Sequence, residues 1–103
     1  MFTESAAISQ RGIGFPGQGN IFNEEQVEGW RKVLKVVHEK GSKLYIQVFH
    51  AGRSTHPSFN GNQDAWAPSA VKCRDRILEL AGAEYPIPKE MTKEDINTLK
   101  SEY

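Results

Sequence analysis

The clearest pattern of hydrophobic and polar positions lies in residues 24–40, where apolar side chains recur at the spacing of an α-helix. The apolar stripe consists of Val27, Trp30, Leu34 and Val37, widened by Val33 and Val36. Asn23, followed three residues later by Gln26, gives a capping-box-like start, and Gly41 is a usual stop signal. The pattern therefore predicts an amphipathic helix over residues 24–40.

Two segments that flank this helix have the pattern of β-strands. Residues 1–8 are mixed in character and free of Gly and Pro, and residues 44–50 are largely apolar on both alternating faces. A strand that is apolar on both faces is typical of a parallel sheet, in which it is buried on both sides. Strand, helix and strand in this order predict a right-handed βαβ unit over residues 1–50, and hence an α/β fold.

The rest of the chain has no sustained periodicity. Residues 51–91 are rich in Gly and Pro, which predicts a long loop that has a functional role or is disordered. A short helical turn is predicted at residues 74–80. Thr92, with Asp95 three residues later, predicts the start of a further helix over residues 92–103, and this helix has no C-terminal cap signal.

The charge balance excludes several classes of partner. The chain has 13 basic and 13 acidic residues, so it lacks the electrostatic footprint expected for binding to nucleic acid or an anionic membrane. No apolar run approaches the roughly 18 residues that span a bilayer. Cys73 is the single cysteine and Met1 is not followed by a signal-peptide pattern, so we expect a reduced, cytoplasmic protein without disulfides.

Two motifs suggest chemistry but do not fit its requirements. Residues 12–17 have the letters of the dinucleotide-binding G-x-G-x-x-G, yet Pro16 precedes the third Gly and the predicted helix begins several residues later. A Gly-rich surface loop is the favoured interpretation. His38, His50 and His56 lack the spacing of a zinc-binding H-E-x-x-H motif, so no metal site is predicted.

The most informative stretch is residues 45–53, in which Gln47 places an amide on an otherwise apolar strand face. A buried amide is costly unless hydrogen-bonding partners satisfy it. Gln47 is therefore either a core amide bonded to neighbouring backbone or an amide aimed at a planar ligand that offers both a donor and an acceptor. The residues alone leave both interpretations open.

Gln-x-x-His-Ala-Gly-Arg at residues 47–53 resembles the third barrel strand of the Old Yellow Enzyme family of FMN-dependent oxidoreductases. Further matches follow in the order of that family at residues 3–9, 14–16, 21–27, 29–30, 37–41, 67–70 and 88–96. Each of these matches is weak alone. Because they are collinear over nearly the whole chain, the resemblance as a whole is strong.

The resemblance implies an N-terminal fragment of a TIM (β/α)8 barrel, comprising about strand 2, helix 2, strand 3, a long loop and the start of helix 3. It implies FMN at the C-terminal ends of the strands. Gln47 would hydrogen-bond the flavin's pyrimidine edge, and Ser5 would contribute a backbone N–H. His50 and Arg53 would lie near the active-site mouth, while no catalytic residue is assigned. The family usually has Gly or Ala where Ser5 stands.

The implied function is NAD(P)H-dependent, FMN-mediated reduction of the activated C=C bond of an enone-type small molecule. A (β/α)8 barrel takes about 250 residues, so the 103-residue chain is expected to be inactive alone and to have little affinity for FMN. Two alternatives remain open. One is a short non-catalytic paralogue that associates with itself or a partner through exposed apolar faces, and the other is an unrelated helical or α/β domain.

Overall fold

The computed structural model of the protein describes residues 1–74 and 82–103, and its first half is a parallel α/β unit. Its elements in chain order are strand β1 (Phe2–Ala7), a 3-10 turn (Gln10–Gly12), strand β2 (Gly19–Asn20), helix α1 (Glu24–Glu39) and strand β3 (Tyr45–Phe49). The sheet order is β2-β1-β3, and both pairings are parallel. The predicted strand–helix–strand unit is confirmed, whereas the short strand β2 was not predicted.

Helix α1 begins and ends close to the predicted residues because its caps form. Asn23 Oδ1 accepts a hydrogen bond from the backbone N–H of Gln26 (2.9 Å). Gln26 Oε1 in turn accepts from the backbone N–H of Phe22 (2.9 Å), one residue earlier than in a regular capping box. After the helix, Gly41 has a φ of +80°, the left-handed conformation in which helices commonly end.

The apolar stripe of α1 is narrower than predicted. None of its residues is buried, and Val33 and Val36 are exposed, so the prediction that they widen the packed stripe was wrong. Trp30 links the helix to the sheet, because its Nε1–H donates to the backbone carbonyl of Asn20 (2.9 Å). That contact fixes the helix to β2 at the edge of the sheet.

Strand β3 is not buried on both sides, and this prediction was also wrong. Tyr45, Gln47 and Val48 are exposed. Among the described residues β3 pairs only with β1, so its other edge and much of its surface have no covering layer. Near the start of both strands, the rings of Phe2 and Tyr45 lie 5.4 Å apart and shield each other in part.

Residues 51–91 contain more structure than a loop. Strands β4 (Trp66–Ala67) and β5 (Lys89–Glu90) form a second parallel pair. Elsewhere in the segment, buried polar side chains form the hydrogen bonds that the backbone would otherwise form in a helix or a sheet. The amide of Asn60, for example, bonds both the N–H and the carbonyl of Gln63. The predicted long loop therefore contains two short paired strands that its lack of periodicity did not reveal.

The predicted turn at residues 74–80 lies, apart from Arg74, outside the described residues. Helix α2 (Lys93–Glu102) follows β5 and begins with the predicted capping box. Thr92 Oγ1 accepts from the backbone N–H of Asp95 (3.2 Å), and Asp95 Oδ2 accepts from that of Thr92 (2.9 Å). Lys89 Nζ lies 2.9 Å from the same carboxylate, which connects β5 to the helix start.

The buried side chains concentrate in two places, at the C-terminal end of β1 and around β4. Within residues 1–74 and 82–103, the buried hydrophobic residues are Ala6, Ala7, Ile8, Ala65, Trp66, Ala67 and Tyr85. Arg11 joins the two regions, because its guanidinium lies 4.0 Å from the centre of the Trp66 ring and donates to the carbonyl of Asp64 (2.9 Å). The segment after β3 is therefore packed onto the end of the sheet.

Candidate functional site

The parallel strands β1 and β3 bring Ser5 and Gln47 directly opposite each other. Side chains at opposed positions of neighbouring strands lie on the same face of a sheet. The Gln47 side chain is exposed and forms no hydrogen bond within the described part of the chain, while Ser5 is half-buried. The interpretation of Gln47 as a satisfied core amide is therefore wrong, and its amide is free to bind a ligand.

A bulge in β1 decides which residue faces Gln47. Phe2 pairs with Tyr45 and Ser5 pairs with Gln47, so three steps along β1 correspond to two along β3. Thr3 Oγ1 accepts a hydrogen bond from the backbone N–H of Gln47 (3.1 Å) at the irregularity. Without the extra residue, the neighbour of Gln47 would be the residue before Ser5, because a one-residue slip exchanges the two faces.

The loop at residues 12–19 packs against the end of β3. The N–H of Ala51 donates to the carbonyl of Gly12 (2.9 Å). A Cβ on Gly12 would lie 2.8 Å from Cδ2 of His50, and one on Gly14 would lie 3.2 Å from both Phe49 Cε1 and Ala51 Cβ. The two glycines therefore allow the backbone of the loop to approach the end of β3 closely. They do not form a dinucleotide-binding turn, because α1 begins only at Glu24. Because Gly12 is buried, the prediction of a plain surface loop was incomplete.

Gln18 is a buried polar residue of this loop that the sequence patterns did not reveal. It is 6% exposed. Its Oε1 accepts from the backbone N–H of Gly14 (2.7 Å), and its Nε2 donates to Oγ of Ser5 (3.2 Å). The side chain thus bridges the loop and the strand residue opposite Gln47.

His50 is half-buried against this loop. Its Nδ1 accepts from the backbone N–H of Gly52 (3.0 Å), so the ring proton lies on Nε2. Burial lowers the pKa of His50 below the usual 6.5, an effect that the carboxylate of Glu102 opposes and the guanidinium of Arg11 reinforces. Nε2 is buried and has no partner among the described residues.

Arg53 is held by the segment that follows β4. Its guanidinium donates to the carbonyl of Val71 (2.7 Å) and to Oγ of Ser69 (3.2 Å). These bonds give Arg53 an ordering role between the end of β3 and residues 69–71. The expected nearness of His50 and Arg53 to an active-site mouth stays a prediction.

A cavity of about 500 Å³ opens between the end of β1, the start of α1 and the end of α2. Ser9 and Glu102 line it, but neither Ser5 nor Gln47 does, so it is separate from the paired residues. Among residues 1–74 and 82–103, no group of three His, Cys, Asp or Glu is placed to hold a metal ion. In the same ranges, no helix has the length and apolar character needed to cross a membrane.

The parallel strands β1 and β3, joined through helix α1, form an α/β unit in which the exposed amide of Gln47 lies beside Ser5. The family model described as the NADH:flavin oxidoreductase / NADH oxidase family matches residues 1–103. The chain belongs to that family.

Individual relatives agree with this assignment. A flavin oxidoreductase of Emericella nidulans is 38% identical over 104 residues, which cover 100% of this chain and 26% of that protein. A probable flavin mononucleotide-dependent alkene reductase of Leishmania infantum is 35% identical over 113 residues, covering 100% of this chain and 30% of that protein. The chain thus spans between about a quarter and a third of the length of these relatives.

The fold agrees as well. The structure of the old yellow enzyme homologue from Zymomonas mobilis matches with a TM-score of 0.84 and 26% identity, covering 99% of this chain and 29% of that chain. The resemblance to the Old Yellow Enzyme family is therefore confirmed. So is the α/β class, as part of a TIM (β/α)8 barrel.

Proposed function

We propose that the protein is an FMN-dependent, NAD(P)H-consuming oxidoreductase that reduces activated C=C bonds of enone-type small molecules. Residues 1–103 would supply the edge of the site that holds the flavin's pyrimidine ring. The observation that carries this proposal is the pairing of Ser5 with Gln47 on one face of two parallel strands, in a chain that the flavin oxidoreductase family matches throughout.

The residues present fit the pyrimidine edge of a flavin. That edge alternates carbonyl acceptors with an N–H donor, and a primary amide such as Gln47 offers both complements at once. The amide is exposed and unbonded within the described residues, so no internal hydrogen bond has to break when it binds. Ser5 lies beside it with its hydroxyl held by Gln18.

Bound FMN would supply the hydride chemistry between the nicotinamide and the alkene, and the protein would supply orientation. In this division, Gln47 orients the ring and the backbone N–H of Ser5 adds a second contact. His50 and Arg53 would stand near the mouth, with Arg53 ordering residues 69–71. No catalytic residue is assigned here. We further propose a cytoplasmic location and a division into a βαβ unit (residues 1–50), a connecting segment (51–91) and a helix (92–103).

A hybrid protein tests the proposal. The matched stretch of the Emericella nidulans flavin oxidoreductase is replaced by residues 1–103, and the purified hybrid is assayed for bound-flavin absorbance and for NAD(P)H oxidation with an enone. We expect stoichiometric flavin and enone-dependent turnover. A folded hybrid that is colourless and inactive, beside an active parent enzyme purified in the same way, would contradict the proposal.

A second candidate is a non-catalytic piece that associates through its apolar surface, either with itself or with a partner. Phe2, Tyr45 and Val48 are 78%, 56% and 50% exposed on or beside the sheet, which favours association. Circular dichroism during urea titration, together with sedimentation of the 103-residue chain, separates the candidates. A cooperative transition in a discrete oligomer supports the interaction role, and a non-cooperative monomer opposes it.

A further inference from the structure

We propose that Gln18 is a positioning residue of the flavin site, which fixes the loop at residues 12–19 to Ser5 and so holds the backbone of Ser5 in register beside Gln47. This proposal rests on the flavin-binding role given above to Ser5 and Gln47. It assigns to Gln18 no contact with the flavin itself.

The bridge through Gln18 is built from a buried amide whose two ends are both used. Oε1 accepts from the N–H of Gly14 at 2.7 Å, and Nε2 donates to Oγ of Ser5 at 3.2 Å. At 6% exposure the amide has little access to water, so losing either protein partner leaves a buried polar atom unsatisfied. A side chain with only one hydrogen-bonding function does not replace it.

The surroundings of the bridge explain how it acts on the site. A Cβ on Gly14 would lie 3.2 Å from Phe49 and Ala51. The loop therefore packs closely against the end of β3 at Gly14. Further along, the N–H of Ile21 donates to the carbonyl of Ala7 (2.8 Å), which attaches the end of the loop to β1. Gln18 therefore connects both strands of the site at the level of Ser5.

The bulge in β1 makes the hydrogen bond from Gln18 to Ser5 important for the position of Ser5. Because β1 carries an extra residue between Phe2 and Ser5, its register against β3 is irregular just before the site. A bulged strand bends and twists locally, so additional contacts are needed to fix the residues that follow it. Thr3 secures the bulge from one side through the N–H of Gln47, and Gln18 secures Ser5 from the other.

The test uses the 15N-labelled hybrid protein described above and its Gln18→Met variant, in which the shape is kept and both hydrogen bonds are lost. Amide exchange at Gly14 is measured first, and FMN is then titrated while the Ser5 and Gln47 resonances are followed. We expect Gly14 to exchange about tenfold faster and the Kd for FMN to rise about fivefold, as for the loss of one or two neutral hydrogen bonds.

Two further variants complete the test, one as a matched control and one as a second probe of the bridge. Gln63→Met changes a glutamine of the segment after β3 whose side chain forms no hydrogen bond with described residues, and it is expected to leave both measurements unchanged. Ser5→Ala removes only the acceptor for Nε2 of Gln18, so it is expected to weaken FMN binding about threefold. In the Ser5→Ala background, Gln18→Met is expected to raise the Kd for FMN less than it does in the unsubstituted protein, because the two residues are coupled.

The outcomes separate the two proposals. An unchanged Kd for Gln18→Met, measured against an unsubstituted hybrid that does bind FMN, overturns the role of Gln18 alone. Absence of any FMN-dependent shift in the folded, unsubstituted hybrid overturns the proposed flavin function, and the role of Gln18 falls with it. If Gln18→Met does not fold, an unchanged Kd in the folded Ser5→Ala variant overturns the bridge.

Discussion

Gln47 presents a free donor and a free acceptor on a strand whose other residues are mostly apolar. Because the side chain is exposed beside Ser5 and unbonded within the described residues, the proposed flavin contact requires no internal hydrogen bond to break. Sequence alone could find Gln47, since an amide among apolar residues is visible in the pattern. It could not find Gln18, because the bonds of that side chain are made to a loop and a strand whose proximity only the folded chain defines.

The glycine at position 14 gives a first prediction. Gly14→Ala places a Cβ 3.2 Å from Phe49 and Ala51, so the loop must move away from β3. We expect a loss of about 1–3 kcal/mol in the free energy of unfolding, as for overpacking a filled site. Gly29→Ala is the matched control, because nothing lies within 4 Å of its added Cβ and alanine favours the helix. Urea denaturation of both variants gives the comparison, and equal effects would contradict the account.

His50 gives a prediction about pH. Because burial holds its pKa below 6.5, the unfolded chain takes up a proton before the native chain does as the pH falls. As far as it depends on His50, the free energy of unfolding is therefore at its full value above about pH 6.5. It declines as the pH falls towards the native pKa. A ring titration by NMR locates that pKa directly. His50→Gln should flatten this part of the pH–stability curve, and an unaltered curve would refute the assignment.

At the scale of elements, the positions of strands β1 and β3 and their parallel direction could be predicted from the sequence. The bulge in β1 corresponds to no recognisable sequence pattern. The helices were predictable because 3.6-residue spacing and cap residues coincide, as at Asn23 and Thr92. Strands β2, β4 and β5 have two residues each, too few to carry an alternation. Their positions depend on partners distant in sequence, which is also why the burial of β3 was predicted wrongly.

The bulge in β1 is tested through Thr3. Thr3→Val keeps the β-branched shape but removes the acceptor for the N–H of Gln47. We expect a loss of about 1–2 kcal/mol and faster amide exchange at Gln47, because a backbone donor then lacks its partner. Thr98→Val on α2 is the control, as its hydroxyl forms no hydrogen bond with described residues. Exchange at Gln47 that matches the wild type would show that Thr3 does not secure the bulge.

On the scale of the whole molecule, the chain has a small core and a large uncovered apolar surface. The packed residues lie at the end of β1 and around β4, whereas apolar residues of β3 and α1 are exposed. Since the chain spans 26% to 30% of the two relatives described above, much of the surface that is covered in a complete barrel is open here. Composition and pattern could predict the α/β class, but only the collinear family resemblance predicted the barrel.

For the 103-residue polypeptide alone we expect neither stoichiometric flavin nor enone-dependent NAD(P)H oxidation. Ser5 and Gln47 contact only one edge of the ring, and the remaining binding energy would have to come from contacts outside these residues. Absorbance of the purified chain and an NADPH-consumption assay with added FMN provide the test. A yellow, stoichiometric complex would contradict this expectation.

We propose above that Gln47 binds the pyrimidine edge of FMN, and the Kd for FMN of the hybrid protein measures the strength of this contact. The unsubstituted hybrid is compared with Gln47→Leu and with Gln63→Leu as the control. We expect a Kd about tenfold or more higher for Gln47→Leu, as for the loss of two hydrogen bonds, and no change for Gln63→Leu. A folded Gln47→Leu hybrid that binds FMN as tightly as the unsubstituted hybrid would contradict the account.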